Sequence, residues 1–428
     1  MGDALLRRIE AAGEGIAALT AELVRIPTLN PPGLHYRDIC GLLARRLEAS
    51  GFELHLMRAE GTPGDSDRYP RWNLLARREG QAGGTCVHFN GHTDVVEVGR
   101  GWTRDPFGGA VADGAVWGRG ACDMKGGIAA AVVAAECFMA EHPDFGGTIE
   151  ISATADEETG GYGGVAWMAE RGFFDPARVQ HVIIPEPLGV DRVCLGHRGV
   201  WWAEIETLGR IAHGSMPFLG ECAARHMGAV LAEMERSLWP ALAARRTAMP
   251  VIPEGARSST LNVNSLHAGL PEPEADFTGL PSPCVPDSAR MVIDRRFLAE
   301  ERIEDVEREV RELLDRVAAE RGMRYEVREV LRVLPSMTEA DAPVVTALNA
   351  AVSDVLGREA AHVCSPGTYD QKHIDRIGRL RNCVAYGPGE LELAHQPDEH
   401  VTLEDLANSA KVMGRALERL LRPRGGPQ

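Results

Sequence analysis

The sequence lacks any run of about 18 apolar residues, which is the length that a helix needs to cross a membrane. Its first residues, MGDALLRRIEAAGEG, also lack the apolar core of a secretory signal. A myristoylation signal is missing as well, because position 6 is Leu6 rather than Ser or Thr. We therefore expect a cytoplasmic protein that does not associate with membranes.

Paired cysteines and an excess of positive charge are also missing. The nine cysteines are scattered without a C-x-x-C pair, which argues against a disulfide framework or a cysteine-based zinc site. The formal net charge of −16 and the pI near 5.4 oppose nucleic acid or an anionic membrane surface as a partner. What remains is an ordinary globular composition, 44% apolar and 25% charged, in 428 residues that are enough for two or three domains.

The order of predicted helices and strands indicates the fold class. Strands such as 147–154 and 181–184 each lead into a loop and then a helix, and this alternation predicts an α/β fold. We expect a catalytic domain with a mixed, mostly parallel central sheet that is flanked by helices. From about residue 200 the pattern changes to strand–helix–strand units, which predict a smaller inserted α+β domain. The expected boundaries are 1-199 and 334-428 for the catalytic domain and 200-333 for the insert.

Histidine and acidic side chains follow the ends of several predicted strands. These residues are His92, Asp123, Glu158, Glu186 and His395, and Glu157 precedes Glu158 in the loop DEETGG. Because ligands bind beside the carboxyl ends of strands in such sheets, we expect these side chains to meet at one edge. Two histidines and three carboxylates suit two zinc-class ions that share one carboxylate. Taken singly, each residue has an ordinary alternative: a structural histidine, a solvated acidic loop, or a turn cap between prolines.

Six short motifs occur in order along the chain: GHTDVV, GRGACDMKGG, DEETGG, PEP, GRIAHGSMP and GPGELELAHQPDEHV. This order resembles the dinuclear zinc hydrolase family that contains acetylornithine deacetylase, succinyl-diaminopimelate desuccinylase, aminoacylase and glutamate carboxypeptidase. The similarity extends from NPPG near residue 30 to the final predicted helix. It implies a hydrolase with two divalent metal ions per chain, either zinc or else cobalt or manganese, that acts on a small molecule with a carboxylate. It also implies a homodimer formed through the inserted domain.

The resemblance implies a role for each site residue. The implied ligands are His92 and Glu186 for one metal ion, Glu158 and His395 for the other, and Asp123 as the bridge. Asp94 would accept a hydrogen bond from the far ring nitrogen of His92 and so fix its tautomer. Glu157 would be the general base, which takes a proton from a water between the metals and passes it to the leaving nitrogen. His213, in the insert, would reach the partner subunit's site and stabilise the tetrahedral oxyanion.

The resemblance also implies residues that bind the substrate. The run DRR at 294–296 is similar to the family's Asp-x-Arg strand. Arg296 would therefore clamp a substrate carboxylate, since a guanidinium binds carboxylates bidentately, and Arg295 would point outward as a surface charge. The run GTYD is similar to a Gly-Thr-Asp loop with Tyr369 added, so Thr368 and Tyr369 would line the pocket.

One departure from the family pattern bears on the substrate. Where the family has Asn, this chain has Pro283, which cannot make an amide contact. The leading hypothesis is a metal-dependent amidohydrolase that cleaves the amide of a small N-acylated, carboxylate-bearing amino compound. The alternatives are a dipeptidase or carboxypeptidase, an aminohydrolase that deaminates an aromatic amino acid, and, outside the enzymes, a catalytically silent metal-binding scaffold.

Overall fold

The computed structural model describes residues 4–249, 251–269 and 283–421. The chain divides into two compact units. The first consists of Met1–Gly196, Met337–Val363 and Tyr369–Gln428, and the second of His197–Ser336 and Cys364–Thr368. The domain boundaries expected from the sequence stay a prediction. Residues 364–368, which we expect in the catalytic domain, group instead with the second unit.

Helices and strands alternate along most of the described chain. The α-helices are α1 (Ala4–Ala11), α2 (Gly13–Val24), α3 (Tyr36–Ala49), α4 (Gly126–Glu141), α5 (Trp167–Glu170), α6 (Ala223–Glu233), α7 (Trp239–Ala244), α8 (Ile303–Arg321), α9 (Pro343–Leu356), α10 (Gln371–Arg376) and α11 (Leu403–Leu420). The strands are β1 (Glu53–Arg58), β2 (Trp72–Glu79), β3 (Gln81–His92), β4 (Ala110–Ala112), β5 (Ala115–Trp117), β6 (Gly146–Thr154), β7 (His181–Ile184), β8 (Arg192–His197), β9 (Gly199–Leu208), β10 (Thr260–Ala268), β11 (Ser288–Phe297), β12 (Arg324–Val333), β13 (Ser336–Met337), β14 (Ala361–Ser365), β15 (Cys383–Ala385) and β16 (His400–Thr402). Among the described residues, we find no helix whose length and apolar character would let it cross a membrane.

The first unit is built around a mixed sheet with the strand order β1-β2-β6-β3-β7-β15-β8. The central neighbours β6, β3, β7 and β15 run parallel, whereas β1, β2 and β8 pair antiparallel with their neighbours. The Ala-rich helix α4 is buried along most of its length and packs against α2 and α11. The α/β fold with flanking helices expected from the sequence is confirmed, although the parallel part is confined to the centre of the sheet.

The two central strands β3 and β6 carry polar side chains on one buried face. Alternate residues of a strand point to the same face, and this face holds His88, Asn90 and His92 of β3 with Glu150, Ser152 and Thr154 of β6. We call these residues the polar row. His88 Nδ1 lies 3.0 Å from Glu150 Oε2, His88 Nε2 lies 2.7 Å from Ser152 Oγ, and that hydroxyl donates to Asn90 Oδ1 at 2.7 Å. The row is thus hydrogen-bonded internally, as buried polar groups require, and it ends at His92.

The second unit contains an antiparallel sheet in the order β10-β11-β9-β12. Apolar side chains of these strands pack against α6 and α8 to form its core. The sequence predicts a helical stretch over 226–242, and the structure is helical there, with a π-helical turn at Met234–Leu238 between α6 and α7. Pro240 lies in the first turn of α7, where the missing N–H of proline prevents a continuous α-helix.

Arg295 corrects one expectation from the sequence. The prediction that Arg295 points outward as a surface charge is wrong, because its side chain is 0% exposed. The alternation of β11 places it on the buried face with Ile293 and Phe297. Its NH2 donates to Glu301 Oε1 at 2.7 Å and to Glu309 Oε1 at 2.9 Å. These carboxylates replace the solvent that a buried guanidinium loses.

Candidate metal centre

The residues predicted to bind metal lie in the first unit, at the carboxyl edge of its sheet. His92 ends β3, Glu158 lies in the short turn after β6, and Glu186 follows β7. Asp123 occupies the turn before α4, and His395 lies in the loop before β16. Because β3, β6 and β7 run parallel, the residues at their carboxyl ends converge on one rim.

Two groups of potential ligands share Asp123. In the first group, His92 Nε2 lies 3.1 Å from Asp123 Oδ1 and 3.8 Å from Glu186 Oε1. In the second, His395 Nε2 lies 3.1 Å from Glu158 Oε2 and 3.5 Å from Asp123 Oδ2. Within each group the ligand atoms are within 4.8 Å of one another. The two oxygens of Asp123 therefore face different groups, as a bridging carboxylate requires.

The carboxylates of the two groups are buried and close enough to repel one another. Burial, to which the charge of Asp123 adds, raises the pKa of Glu158 to about 7. Burial and the charge of Asp123 also raise the pKa of Glu186 well above its usual range. Hydrogen bonds to Asp123 and Glu158 raise the pKa of His395 to about 11. Buried carboxylate oxygens that surround imidazole nitrogens are a donor set suited to divalent ions of the zinc class, so these residues fit a pair of such ions.

Asp94 holds the loop that carries Glu157 and Glu158. Its Oδ1 accepts from the backbone N–H of Glu157 at 3.2 Å, and its Oδ2 accepts from that of Glu158 at 3.1 Å and from Asn30 Nδ2 at 2.9 Å. His92 Nδ1 lies 3.1 Å from the carbonyl oxygen of Asp94 and 3.6 Å from its Oδ1. The carbonyl, rather than the carboxylate, is therefore the nearer acceptor for the far nitrogen of His92.

Glu157 belongs to neither ligand group and forms an ion pair. Lys372 Nζ donates to Glu157 Oε1 at 2.6 Å, and the two side chains are only 4% and 9% exposed. Lys372 lies in the first turn of α10. The sequence does not predict this contact, because a single lysine in a polar segment has neither a periodic pattern nor a motif that connects it to a residue 215 positions earlier.

Comparison with known proteins identifies the family. The sequence profile of Peptidase family M20/M25/M40 matches residues 88–419. The chain belongs to this family. The resemblance stated from the motifs is therefore confirmed, and the chain is a metal-dependent hydrolase that acts on carbon–nitrogen bonds.

Relatives within the M20 family are similar over nearly the whole chain. A succinyl-diaminopimelate desuccinylase of Thioalkalivibrio sulfidiphilus is 30% identical over 416 residues, which cover 94% of this chain and 98% of the relative. Its counterpart in Psychrobacter arcticus is 28% identical over 409 residues, with 94% of both chains covered. Among solved structures, human carnosine dipeptidase 1 has a TM-score of 0.78 at 19% identity, covering 97% of this chain and 98% of that one. This structural similarity shows a shared fold.

Glu399 fixes the loop that carries Asp123 in this M20 hydrolase. Its Oε1 accepts from the backbone N–H groups of Gly120 at 2.9 Å, Cys122 at 3.0 Å and Asp123 at 3.0 Å. Its other oxygen pairs with Arg119, and both side chains are buried. The sequence gives little sign of this role, because Glu399 stands in the run PDEH, where an acidic residue is as typical of a solvated loop.

Two residues expected to act on the substrate belong to the second unit. His213 is exposed, and its Nδ1 accepts from the backbone N–H of Ser215 at 3.1 Å, which leaves Nε2 as the ring donor. The guanidinium of Arg296 binds both oxygens of Asp294, with Nε 2.7 Å from Oδ1 and NH2 2.9 Å from Oδ2. A substrate carboxylate at Arg296 would have to compete with this internal partner.

The two loop residues expected to line the pocket are divided between the units. Thr368 is half-buried and belongs to the second unit, whereas Tyr369 belongs to the first. Tyr369 is buried, and its hydroxyl lies 3.6 Å from Cys194 Sγ. The contact of Tyr369 with substrate, like that of Thr368, stays a prediction.

Proposed function

We propose that this M20 hydrolase cleaves the amide bond of a small N-acylated amino compound that bears a carboxylate, with Glu157 as the general base. One observation carries the proposal: two ligand groups share Asp123, while the adjacent Glu157 is left outside both. A carboxylate that is close to the ligands without being one of them is free to act as a general base. The similarity to succinyl-diaminopimelate desuccinylases makes an N-succinyl compound the first substrate to test.

Each residue of the site has a defined task in this proposal. The ligands would be His92 and Glu186 for one divalent ion, Glu158 and His395 for the other, and Asp123 for both. When bound, such ions polarise the scissile carbonyl and lower the pKa of water. The Glu157 carboxylate takes a proton from the attacking water and then passes it to the leaving nitrogen. Asp94 keeps Glu157 in place by accepting the hydrogen bond from its backbone N–H.

His213 would stabilise the oxyanion of a partner subunit in a homodimer. The ring presents Nε2 as a donor on an exposed loop, as an oxyanion contact requires. Large apolar side chains of the same loop are exposed, with Phe218 at 78% and Ile211 at 57%, which supports a surface that is covered in an assembly. We also propose that this assembly acts in the cytoplasm, in keeping with the absence of paired cysteine spacings.

The position of Pro283 supports a substrate test that goes beyond N-acyl amino acids. Its carbonyl oxygen accepts a hydrogen bond from the backbone N–H of Gly214 at 2.6 Å, directly after His213 in the chain, and its ring offers no amide group to a substrate. A panel of N-succinyl, N-acetyl, dipeptide and aminobenzoate compounds separates a deacylase from a dipeptidase and from an aromatic aminohydrolase. Two bound metal ions without turnover of any of these compounds would support a silent scaffold.

The decisive experiment is the substitution Glu157→Gln in the metal-loaded protein. We expect kcat to fall by at least about a thousandfold while metal content stays unchanged, because the amide cannot accept the proton. Glu60→Gln is the matched control, since Glu60 is exposed. The activity of this variant should equal that of the wild type. Near wild-type activity of Glu157→Gln with a full metal complement would refute the assignment of the base.

A further inference from the structure

The first turn of α10 packs against the loop that carries Glu157. Lys372 binds Glu157, and His373 Nε2 donates to the carbonyl oxygen of Gly160 at 2.6 Å. Gly161, with φ +78°, leaves the space for this contact, because a Cβ there would lie 3.0 Å from the His373 ring and 3.1 Å from Asp370 Oδ1. Two consecutive side chains, Lys372 and His373, thus hold the loop against α10.

Lys372 is a buried cation whose neighbours are carboxylates. Burial alone would lower the pKa of Lys372, but the charges of Glu157 and Asp370 outweigh it and raise the pKa above its usual value. The ammonium therefore stays charged although the Lys372 side chain is only 4% exposed to solvent. A buried charge persists only when it is paired, so Lys372 and Glu157 fix each other's position.

Asp370, the second carboxylate near Lys372, is anchored to the centre of the sheet. Its Oδ2 accepts from Asn90 Nδ2 at 2.9 Å, and Asn90 is a member of the polar row. The row continues through Ser152 and His88 to Glu150, which also pairs with Arg77 at 2.6 Å. Every member named here between Asp370 and Glu150 is buried. The start of α10, which carries Lys372, is therefore hydrogen-bonded to a central strand of the sheet.

We propose that Lys372 is a positioning residue for the general base. Its ammonium holds Oε1 of Glu157, which leaves Oε2 as the oxygen that exchanges the proton. Asp370, two residues before Lys372, is hydrogen-bonded to Asn90 of the polar row and so ties the start of α10 to the central strands. The inference rests on the proposed function, since it requires Glu157 to be the base. A direct role in substrate binding is disfavoured because the Lys372 side chain is only 4% exposed and already donates to Glu157.

The test is Lys372→Met in the full-length, metal-loaded protein. We expect kcat to fall on the order of a hundredfold, because a misplacement of about 1 Å at a catalytic group costs that much. KM should stay within about twofold and metal content should not change, since no ligand is altered. Lys411→Met is the matched control: Lys411 pairs with Glu10, and its loss should leave kcat unchanged.

A double-mutant cycle separates positioning from a structural effect. In the Glu157→Gln background, Lys372→Met should reduce the residual kcat by less than about twofold, because residues that act as a unit are not additive. Lys372→Arg, which keeps the charge, should recover at least about tenfold of the activity lost in Lys372→Met. If Lys372→Met fails to fold, Lys372→Arg and its double-mutant cycle with Glu157→Gln provide the same comparison. A loss of kcat in Lys372→Arg that disappears in the Glu157→Gln background would then support the inference.

Three outcomes overturn the inference. They are a rise in KM with unchanged kcat, which would assign Lys372 to substrate binding; an equal loss of kcat in both backgrounds; and a wild-type kcat for Lys372→Met. In each case an inactive Glu157→Gln leaves the proposed function standing. An active Glu157→Gln removes the proposed function itself, so the two failures are distinguishable.

Discussion

The loop that carries Asp123 should depend on the buried charge of Glu399. We predict that Glu399→Ala lowers the free energy of unfolding by about 4 kcal/mol, because removing one partner of a buried ion pair costs about 3–5 kcal/mol. The variant would leave the buried Arg119 without its carboxylate, although backbone carbonyls still accept from it, and would leave three loop N–H groups without their acceptor. Glu399→Gln keeps an acceptor oxygen but loses the charge, so we expect about 2 kcal/mol.

These free energies correspond to measurable shifts in Tm. The first unit has roughly 280 residues, and its entropy of unfolding near 60 °C is about 0.6 kcal/mol per kelvin. Glu399→Ala should therefore lower Tm by about 7 °C and Glu399→Gln by about 3 °C. The affinity for metal should also fall by about 10–100-fold, because Glu399 orients the backbone of Asp123.

Thermal denaturation followed by circular dichroism, with a chelator present, measures the shift without a contribution from bound metal. A competition titration of zinc against a chelating dye measures the affinity. Asp113→Asn is the control, because Asp113 pairs with Arg104 at the surface and such pairs contribute about 1 kcal/mol or less. The same Tm for Glu399→Ala and Asp113→Asn, with unchanged zinc affinity, would refute this account of the loop.

Two further predictions address the metal groups and the pH dependence of stability. Asp123→Ala should weaken both metal sites, whereas His395→Gln should weaken one, because only Asp123 belongs to both groups. Calorimetric titration with zinc counts the sites. Loss of a single site in Asp123→Ala would contradict a shared carboxylate. Burial, and then the charge of Lys372, lowers the pKa of His373 from 6.5 to about 3. The unfolded chain binds a proton near pH 6.5, whereas the folded chain does not. The free energy of unfolding of the wild type should therefore fall by about 1.6 kcal/mol relative to that of His373→Gln between pH 6.5 and pH 5. Urea unfolding at both pH values tests this, and a difference that does not change with pH would contradict it.

The sequence allows the ligand groups to be predicted because their signals are local. His92, Glu158 and Glu186 each follow a strand that has a clear apolar pattern, and parallel strands bring such residues to one edge. His395 has no comparable strand before it, so only the motif around it indicates the site. The roles of these residues stay predictions, but their proximity is a feature of the fold.

The partners that hold the site could not be predicted, because each contact joins distant parts of the chain. Lys372 is 215 residues from Glu157, to which it donates. Glu399 is 276 residues from Asp123, from whose backbone N–H it accepts. Arg295 is a different case, since the alternation of β11 already places it on the same face as Ile293 and Phe297. A charged residue at an apolar position of a strand indicates a buried ion pair as well as an outward charge.

The polar row also constrains how the protein can be synthesised. Asn90 is bonded to Asp370, which is added 280 residues later, and the inserted unit is translated between them. At about 5–20 residues per second, this interval is roughly 15–60 seconds. Throughout it, the side-chain amide nitrogen of Asn90 lacks the carboxylate that accepts its hydrogen bond in the folded protein. The first unit therefore cannot complete this buried hydrogen-bond network until Asp370 has been synthesised.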